Sequence, residues 1–335
     1  MDITARTPLL GGLSPQTFMR RHWQRKPHMV RAAVPGVLPP VSRAALFEMA
    51  ANADIESRLV VRGPHGFTVR HGPMRRRALP PLRQAAWTLL VQGVDLHIPQ
   101  AHRLLSLFRF VPDARLDDVM ISWASDGGGV GAHLDSYDVF LLQVQGRRRW
   151  RIGPVTDATW QEDQPLKVLR RFEPQQEWLL EPGDMLYLPP MWGHDGVAEG
   201  ECMTCSIGFR SPSQGALSGE LLQRLGEDAS DDERTAGQRL YRDAGAAATA
   251  TPGAIPVALQ AFARHAAEQR LLRPQAIERA LGESLTEPKP QVWFAGRAKP
   301  DLRSGVTLDR ATRMMYDDHY LFINGESFQI GRAHV

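Results

Sequence analysis

The sequence predicts an α+β protein whose larger part is a mainly β domain, an antiparallel sandwich or barrel. A helical segment and a small winged-helix-like unit follow it. Three observations carry this expectation. Between Ala114 and Phe209, apolar runs such as DDVMISWAS, SYDVFLLQVQ, MLYLPP and ECMTCSIGFR recur at roughly eight-to-twelve-residue spacing, with turn residues between them. After Arg210 the pattern changes to helical periodicity. Near the end, HYLFINGESFQI sets Asn324-Gly325 between two apolar runs, the strongest short hairpin signal in the chain.

Composition sets the outer bounds. A chain of 335 residues is long for one domain, so two or three are expected. Hydrophobic content of 43% and charged content of 23% are ordinary for a globular protein. A net charge of +3, taken over the whole chain, makes no case for nucleic-acid binding, and none is expected. The basic residues are nearly all arginine, with Lys26, Lys167, Lys289 and Lys299 the lysines, a bias that fits codon usage. No apolar run reaches the roughly 20 residues that a bilayer span requires, and MDITARTPLLGG has no signal-peptide pattern. Two cysteines argue against a disulfide framework and fit a reducing cytoplasm. Cys202 and Cys205 form a CxxC on a predicted strand, where they face opposite ways and read as buried thiols.

In chain order, Ser14 as N-cap and Pro15 at the first helical position open a helix, and Pro27 ends it before a short strand, HMVRA. Residues 41–50 read as a second helix. LVVRGPHGFTVRHGP reads as a hairpin around Gly63-Pro64 and Gly66, and QAAWTLLVQGVDLH supplies a short strand. Leu104, Leu105, Leu107 and Phe108 recur at helical spacing in PQAHRLLSLFRFVP.

The stretch from Gly127 to Trp150, GGGVGAHLDSYDVFLLQVQGRRRW, organises the rest. It opens with a flexible glycine run. YDVFLLQVQ reads as a buried strand, and Gln145-Gly146 as a bend into a second, RRRWRI. Pro182-Gly183-Asp184 is a turn expected to reverse the chain before the strand that delivers His194. In an extended segment His133 and Asp135 point to one face, so an imidazole and a carboxylate converge on one ion. With His194 they make two histidines and one carboxylate, the set that leaves ferrous iron open positions for a cosubstrate and oxygen. Zinc competes for such ligands, but zinc hydrolases generally use more histidines or a helical HExxH, absent here.

An α-keto acid fills two of those positions, and the far carboxylate of 2-oxoglutarate then needs a fixed cation, for which a guanidinium fork is well shaped. Strand alternation puts Arg148 with apolar Trp150 and Ile152, and Arg147, Arg149 and Arg151 on the other side. Arg148 is therefore the candidate.

Beyond Arg210, LSGELLQRLGE is an amphipathic helix that ASDDERTAGQRLYRDAG continues, and AAATATPGAIP is a low-complexity linker. VALQAFARHAAEQRLL and PQAIERALGESL give two more helices, and TEPKPQVWFA breaks helicity. The final IGRAHV reads like an in-frame translation of a sequencing adapter, so the natural product is expected to continue past residue 328.

Taken together, LGGLSPQTFMRRHWQRKPHMVR, GGGVGAHLDSYDVFLLQVQGRRRWRIG and EPGDMLYLPPMWGHDG resemble the bacterial ribosomal oxygenases of the JmjC/cupin class, relatives of the eukaryotic nucleolar ribosomal histidine hydroxylases. The resemblance implies a double-stranded β-helix catalytic domain over residues 1–210 with its core at 114–210. It also implies a helical dimerisation segment and linker over 211–255, and a winged-helix-like domain, truncated, over 256–335. The implied reaction is Fe(II)-, O2- and 2-oxoglutarate-dependent hydroxylation of an arginine β-carbon in the sixteenth large-subunit ribosomal protein, in the cytoplasm, by a homodimer. His133, Asp135 and His194 would hold iron, and Arg148 the 2-oxoglutarate carboxylate. Asp118, Met120 and Tyr137 match the family's substrate cleft, an acid and an apolar sandwich around the target arginine. Ser206 is a further polar candidate there.

Two rivals are set beside this reading. A JmjC-type demethylase would use the same iron chemistry on a methylated side chain and release formaldehyde. A non-catalytic cupin regulator would bind DNA and leave 2-oxoglutarate unconsumed.

Overall fold

The computed structural model of the chain describes residues 2–236, 240–244, 246–294 and 307–330. Of the terminal IGRAHV, expected to derive from an adapter, Ile330 is described and residues 331–335 lie outside the described residues. The chain divides into two compact units, one of residues 1–211 with 291–311 and the other of residues 212–290 with 312–335.

The first unit opens with α1 (Pro15–Arg21), where Ser14 Oγ accepts from the Thr17 amide at 3.2 Å and satisfies one of the orphan N–H groups of the first turn. Then come β1 (His28–Val30) and α2 (Arg43–Met49), the latter capped by Ser42. The expected hairpin is β2 (Ser57–Gly63) and β3 (Gly66–His71). After it lie β4 (Trp87–Val91), α3 (Val94–His97) and α4 (Pro99–Ser106). The remaining strands are β5 (Leu116–Ala124), β6 (Val139–Pro154), β7 (Gln176–Leu180), β8 (Met185–Leu188) and β9 (Trp192–Phe209). They form one nine-stranded sheet in the order β1-β8-β6-β9-β5-β4-β2-β3, with β7 paired to β6 off this path, and all pairs antiparallel. The antiparallel β domain expected from strand spacing is present.

Two details differ from the sequence reading. The residues read as two strands around Gly146 form one strand of 16 residues, β6, and β9 runs for 18. Gly146 adopts φ +61° and the β6–β9 register shifts between Gln143 and Arg147, so the chain bulges and bends without leaving the sheet. His194 consequently sits on the same strand as Cys202 and Cys205. The turn at Pro182–Asp184 leads into β8 instead, and a second turn at Pro189–Met191 precedes β9.

The two faces of the sheet have different chemistry. Leu89, Val91, Val119, Ile121 and Trp123 face the main core with Phe18, Leu46, Phe47, Leu104 and Phe108 of the N-terminal helices and loops. Each such fully buried side chain contributes on the order of 1.5–3 kcal/mol. Their alternates Thr88, Leu90, Asp118, Met120 and Ser122 face the other way, a row too polar to be core. Cys205 lies in the main core and Cys202 in a separate cluster with Ala124 and Ala198, so the CxxC thiols are buried, unbridged and on opposite faces.

The second unit comprises α5 (Gln214–Ala236), α6 (Val257–Leu271), α7 (Ala276–Thr286) and a small sheet of β10 (Met314–Tyr316), β11 (Tyr320–Ile323) and β12 (Glu326–Gln329). The helix expected to run through residue 245 ends earlier. Leu240–Ala244 are not helical, and residues 237–239 and 245 of that expected helix lie outside the described residues. The Asn324-Gly325 hairpin is as read, with φ of +51° and +86° at the two turn residues, and β10 was not anticipated. Gly282 lets the Phe322 ring close on α7, since a Cβ there would lie 2.3 Å from the ring.

Candidate active site

His133 lies ahead of β6, outside regular strand, and is tied to β9 by an isolated bridge. Its N–H donates to the His194 carbonyl at 3.0 Å, and the His194 N–H donates back at 2.8 Å. The Asp135 carbonyl accepts from the Met191 amide at 2.7 Å, which ties the other end of the HxD to the turn before β9. These contacts bring the ligand atoms of His133, Asp135 and His194 within 4.8 Å of one another. His194 Nε2 stands 3.6 Å from an Asp135 carboxylate oxygen. His133 Nδ1 is 2.9 Å from the Gly131 carbonyl, and His194 Nδ1 is 3.0 Å from the Trp192 carbonyl. A carbonyl is an acceptor, so both Nδ1 atoms carry the proton and both Nε2 lone pairs face the cluster. Burial first, then the neighbouring His133, lower the His194 imidazole to about 4, so it stays neutral at physiological pH as ligation requires. Donor type, spacing and tautomer all fit a divalent metal ion.

The glycine run serves close approach here. A Cβ on Gly128 would lie 2.5 Å from the Trp87 carbonyl oxygen, and one on Gly129 2.5 Å from that of Gly196. Glycine at these two positions lets the segment leading to His133 lie close to β4 and against β9, where Gly128 O accepts from the Ala198 amide at 2.9 Å. Gly196 in turn gives room to Trp150, whose ring packs 5.9 Å from that of His194.

Arg148 is 4% exposed, with Trp150 and Ile152 buried beside it, whereas Arg147 is exposed. Arg149 and Arg151 lie on the outer face, paired to Glu177 and Glu199, and to Asp195. The Arg148 guanidinium donates to Ser122 Oγ at 3.0 Å, to Thr204 Oγ1 at 3.3 Å and to the Gly196 carbonyl at 3.4 Å. It lies 5.3 Å from the Trp150 ring, and its Nε has no hydrogen-bond partner. Among the described residues no carboxylate pairs with it. A buried cation surrounded by hydroxyls and lacking a counter-charge is costly unless an anion joins it, so the residues fit a carboxylate ligand.

The cleft candidates lie on the same side. Met120 on β5 faces Ser206 on β9, which in turn faces Leu141 on β6. Asp118 is buried and accepts from the Gly93 amide at 2.9 Å. Tyr137 is 40% exposed at the rim; desolvation and then the Asp135 carboxylate, to which it hydrogen-bonds, keep its hydroxyl protonated well above the usual range.

Several residues escaped the sequence reading. Ser122 and Thr204 bind Arg148, and Thr88 Oγ1, Gln92 Oε1 and Arg58 Nε are buried without partners. Cross-strand pairing puts Arg58 opposite Leu90 and Leu90 opposite Ser122, while the Gln92 amide continues the ladder to the Glu56 carbonyl at 2.9 Å. Alternation thus turns all of these side chains toward the inner face. The signal was polar residues interspersed on one face of otherwise apolar strands: Arg58 on β2, Thr88 on β4, and Asp118 and Ser122 on β5.

The JmjC domain family matches residues 103–217. The chain is 41% identical over 198 residues to the ribosomal protein uL16 3-hydroxylase of Escherichia coli, covering 58% of this chain and 52% of that protein. It is 36% identical over 206 residues to a probable ribosomal oxygenase of Haemophilus influenzae, covering 60% of this chain and 50% of that one. These alignments span about half the length of either relative. The solved structure of YcfD, a ribosomal oxygenase from Escherichia coli, in complex with cobalt and 2-oxoglutarate superposes with a TM-score of 0.76 at 30% identity, covering 95% of this chain and 86% of that chain. By family match and by identity over most of a solved relative, the chain belongs to the JmjC-domain family that includes YcfD.

Proposed function

We propose that the chain is an Fe(II)- and 2-oxoglutarate-dependent protein oxygenase that hydroxylates the β-carbon of an arginine in a large-subunit ribosomal protein of the uL16 kind. One observation carries this reading: a histidine–aspartate–histidine cluster shares the inner face of the sheet with a buried guanidinium that has no counter-charge. The names of the relatives and the cobalt and 2-oxoglutarate in the YcfD complex support it.

His133, Asp135 and His194 would hold the metal, and Arg148, steadied by Ser122 and Thr204, the distal carboxylate of 2-oxoglutarate. When bound, the iron with its cosubstrate and O2 supplies the oxidising power for C–H hydroxylation. The chain's own task is placement. Asp118 would pair with the substrate guanidinium, Met120 and Tyr137 would flank it, and Ser206 would add a polar contact. Trp150 and Ile152 would keep water from the metal side. Residues 211–255 would carry dimerisation, a reading supported by Leu222 on α5, exposed at 56%, and residues 256–335 would form a winged-helix-like domain. A cytoplasmic setting would suit a ribosomal substrate, a reading supported by the names of the relatives.

The test is mass spectrometry of a uL16 peptide after anaerobic loading with ferrous iron and 2-oxoglutarate and exposure to air. One added oxygen at an arginine, dependent on both, is the expected result. Succinate without a mass shift would remove the ribosomal substrate, formaldehyde release from a methylated peptide would favour a demethylase, and no turnover would remove the enzyme.

A further inference from the structure

The net charge of +3 conceals a strong asymmetry along the chain. Up to Val94 the acidic residues are Asp2, Glu48, Asp54 and Glu56, and from Ser57 to Val94 there are none. That acid-free stretch carries the exposed arginines Arg62, Arg70, Arg75, Arg76, Arg77 and Arg83. Several arginines elsewhere do find carboxylates: Arg31 pairs with Asp184, Arg43 with Glu201 and Arg149 with Glu177. Among the described residues none of the six is ion-paired.

The fold gathers these charges. β3 ends the sheet, and the loop after it turns back over the hairpin, held by Arg70 donating to the Ala78 carbonyl. Between hairpin and loop lies a groove of about 310 Å³, lined by Leu59, Val61, Thr68, Arg70, Leu79 and Gln84 among others. Arg70 lines this groove, Arg62 stands nearer the tip of the same hairpin, and Arg75, Arg76, Arg77 and Arg83 follow in the loop.

We propose that this edge, the β2–β3 hairpin with the loop through Arg83, is a docking surface for the phosphate backbone of RNA. Guanidinium forks match phosphate oxygens in shape and charge, and neutralising phosphates releases counterions. Charge asymmetry of this kind along a chain points to a polyanionic partner. A membrane surface fits less well, because Leu82 at 39% is the large apolar side chain exposed in this stretch and no amphipathic helix lies there. Charged residues on a terminal strand also discourage edge-to-edge aggregation, which accounts for Arg70. It does not account for Arg75, Arg77 and Arg83, which lie in the loop.

The test is fluorescence anisotropy of a labelled single-stranded RNA of about 20 nucleotides titrated with the full chain at several salt concentrations. The Arg75→Ala/Arg77→Ala/Arg83→Ala variant leaves Arg76 stacked on Phe47 and touches no residue of the candidate active site. We expect the parent chain to bind with a steep salt dependence and the variant to bind at least about tenfold more weakly. The slope of log affinity against log salt should fall by about 2, since each lost phosphate contact on a single strand removes ~0.7. The Arg→Lys version of the triple variant should keep most of the affinity. Peptide turnover is a separate readout, so failure here and failure of the oxygenase reading are distinguishable. Absence of RNA binding at about 50 mM salt, equal binding by the alanine variant, or capture of phosphatidylserine vesicles in place of RNA would overturn the proposal.

Discussion

His133 and His194 exchange a reciprocal pair of backbone hydrogen bonds, 3.0 and 2.8 Å, while their rings stand 4.1 Å apart at the metal-binding cluster. Two of the side chains that would hold the ion thus belong to the same two residues that tie the segment ahead of β6 to the start of β9. The metal geometry is inherited from strand pairing, and a ligand change will be felt first in metal affinity.

Asp135→Ala removes the carboxylate, and two neutral imidazoles do not balance a divalent ion. Stoichiometric cobalt or iron uptake should be lost and turnover reduced to background, while the thermal transition of the metal-free protein should move little. Equilibrium dialysis followed by metal analysis checks this; retained uptake would remove Asp135 from the ligand set.

The metal-free protein should lose stability on acidification below about pH 6.5. His194 is neutral in the fold down to about 4, but in the unfolded chain it takes up a proton near its model value of 6.5, so protons favour the unfolded state across that window. The difference is on the order of 3 kcal/mol by pH 4. Urea titrations of the metal-free parent and a His194→Gln variant should diverge in that direction. Equal slopes against pH would reject the shift.

Arg148→Met should separate stability from binding. It removes a buried cation that has no counter-charge, and Thr204 can keep its bond to Gln143 Oε1 at 2.9 Å. The ligand-free variant should be more stable than the parent by ~1–2 kcal/mol. Its KM for 2-oxoglutarate should rise by roughly 10–100-fold, the loss of charge-assisted hydrogen bonds. Thermal melts with steady-state kinetics decide it, and an unchanged KM would dismiss Arg148 from cosubstrate binding.

Asp118→Asn keeps shape and the acceptor for the Gly93 amide but removes the charge. Peptide KM should rise by about 10-fold or more while 2-oxoglutarate KM stays level. Parallel effects on both would indicate a structural role.

Gly129→Ala and Gly127→Ala are chemically alike and should behave differently. The first drives a Cβ to 2.5 Å from the Gly196 carbonyl and should cost about 1–3 kcal/mol and weaken metal binding. At Gly127 φ is +69° with no atom within 4 Å of the Cβ, so the cost is the backbone's alone, about 1–2 kcal/mol, with metal affinity retained. Denaturant melts and metal titrations on both variants distinguish close approach from flexibility.

The sequence by itself determined what is written in short-range pattern. Ser14 and Pro15 start a helix, Asn324-Gly325 turns a hairpin, and the spacing of His133 and Asp135 puts two ligand types on one side of the chain. Counting back from Trp150 turned Arg148 inward because no bulge lies between them; the same count carried across Gly146 to Leu141 or Gln143 would have failed, since the register slips there. Tertiary structure decided what depends on partners distant in sequence. The Ser122–Leu90–Arg58 row across β5, β4 and β2, the hydroxyl pair on Arg148, the tautomers of His133 and His194, and the need for glycine at 128 and 129 follow from strand register and close packing. Local propensity acts over a few residues, whereas register is settled by the burial of whole faces, so a linear reading finds the ligands and only the folded sheet supplies the shell that holds them.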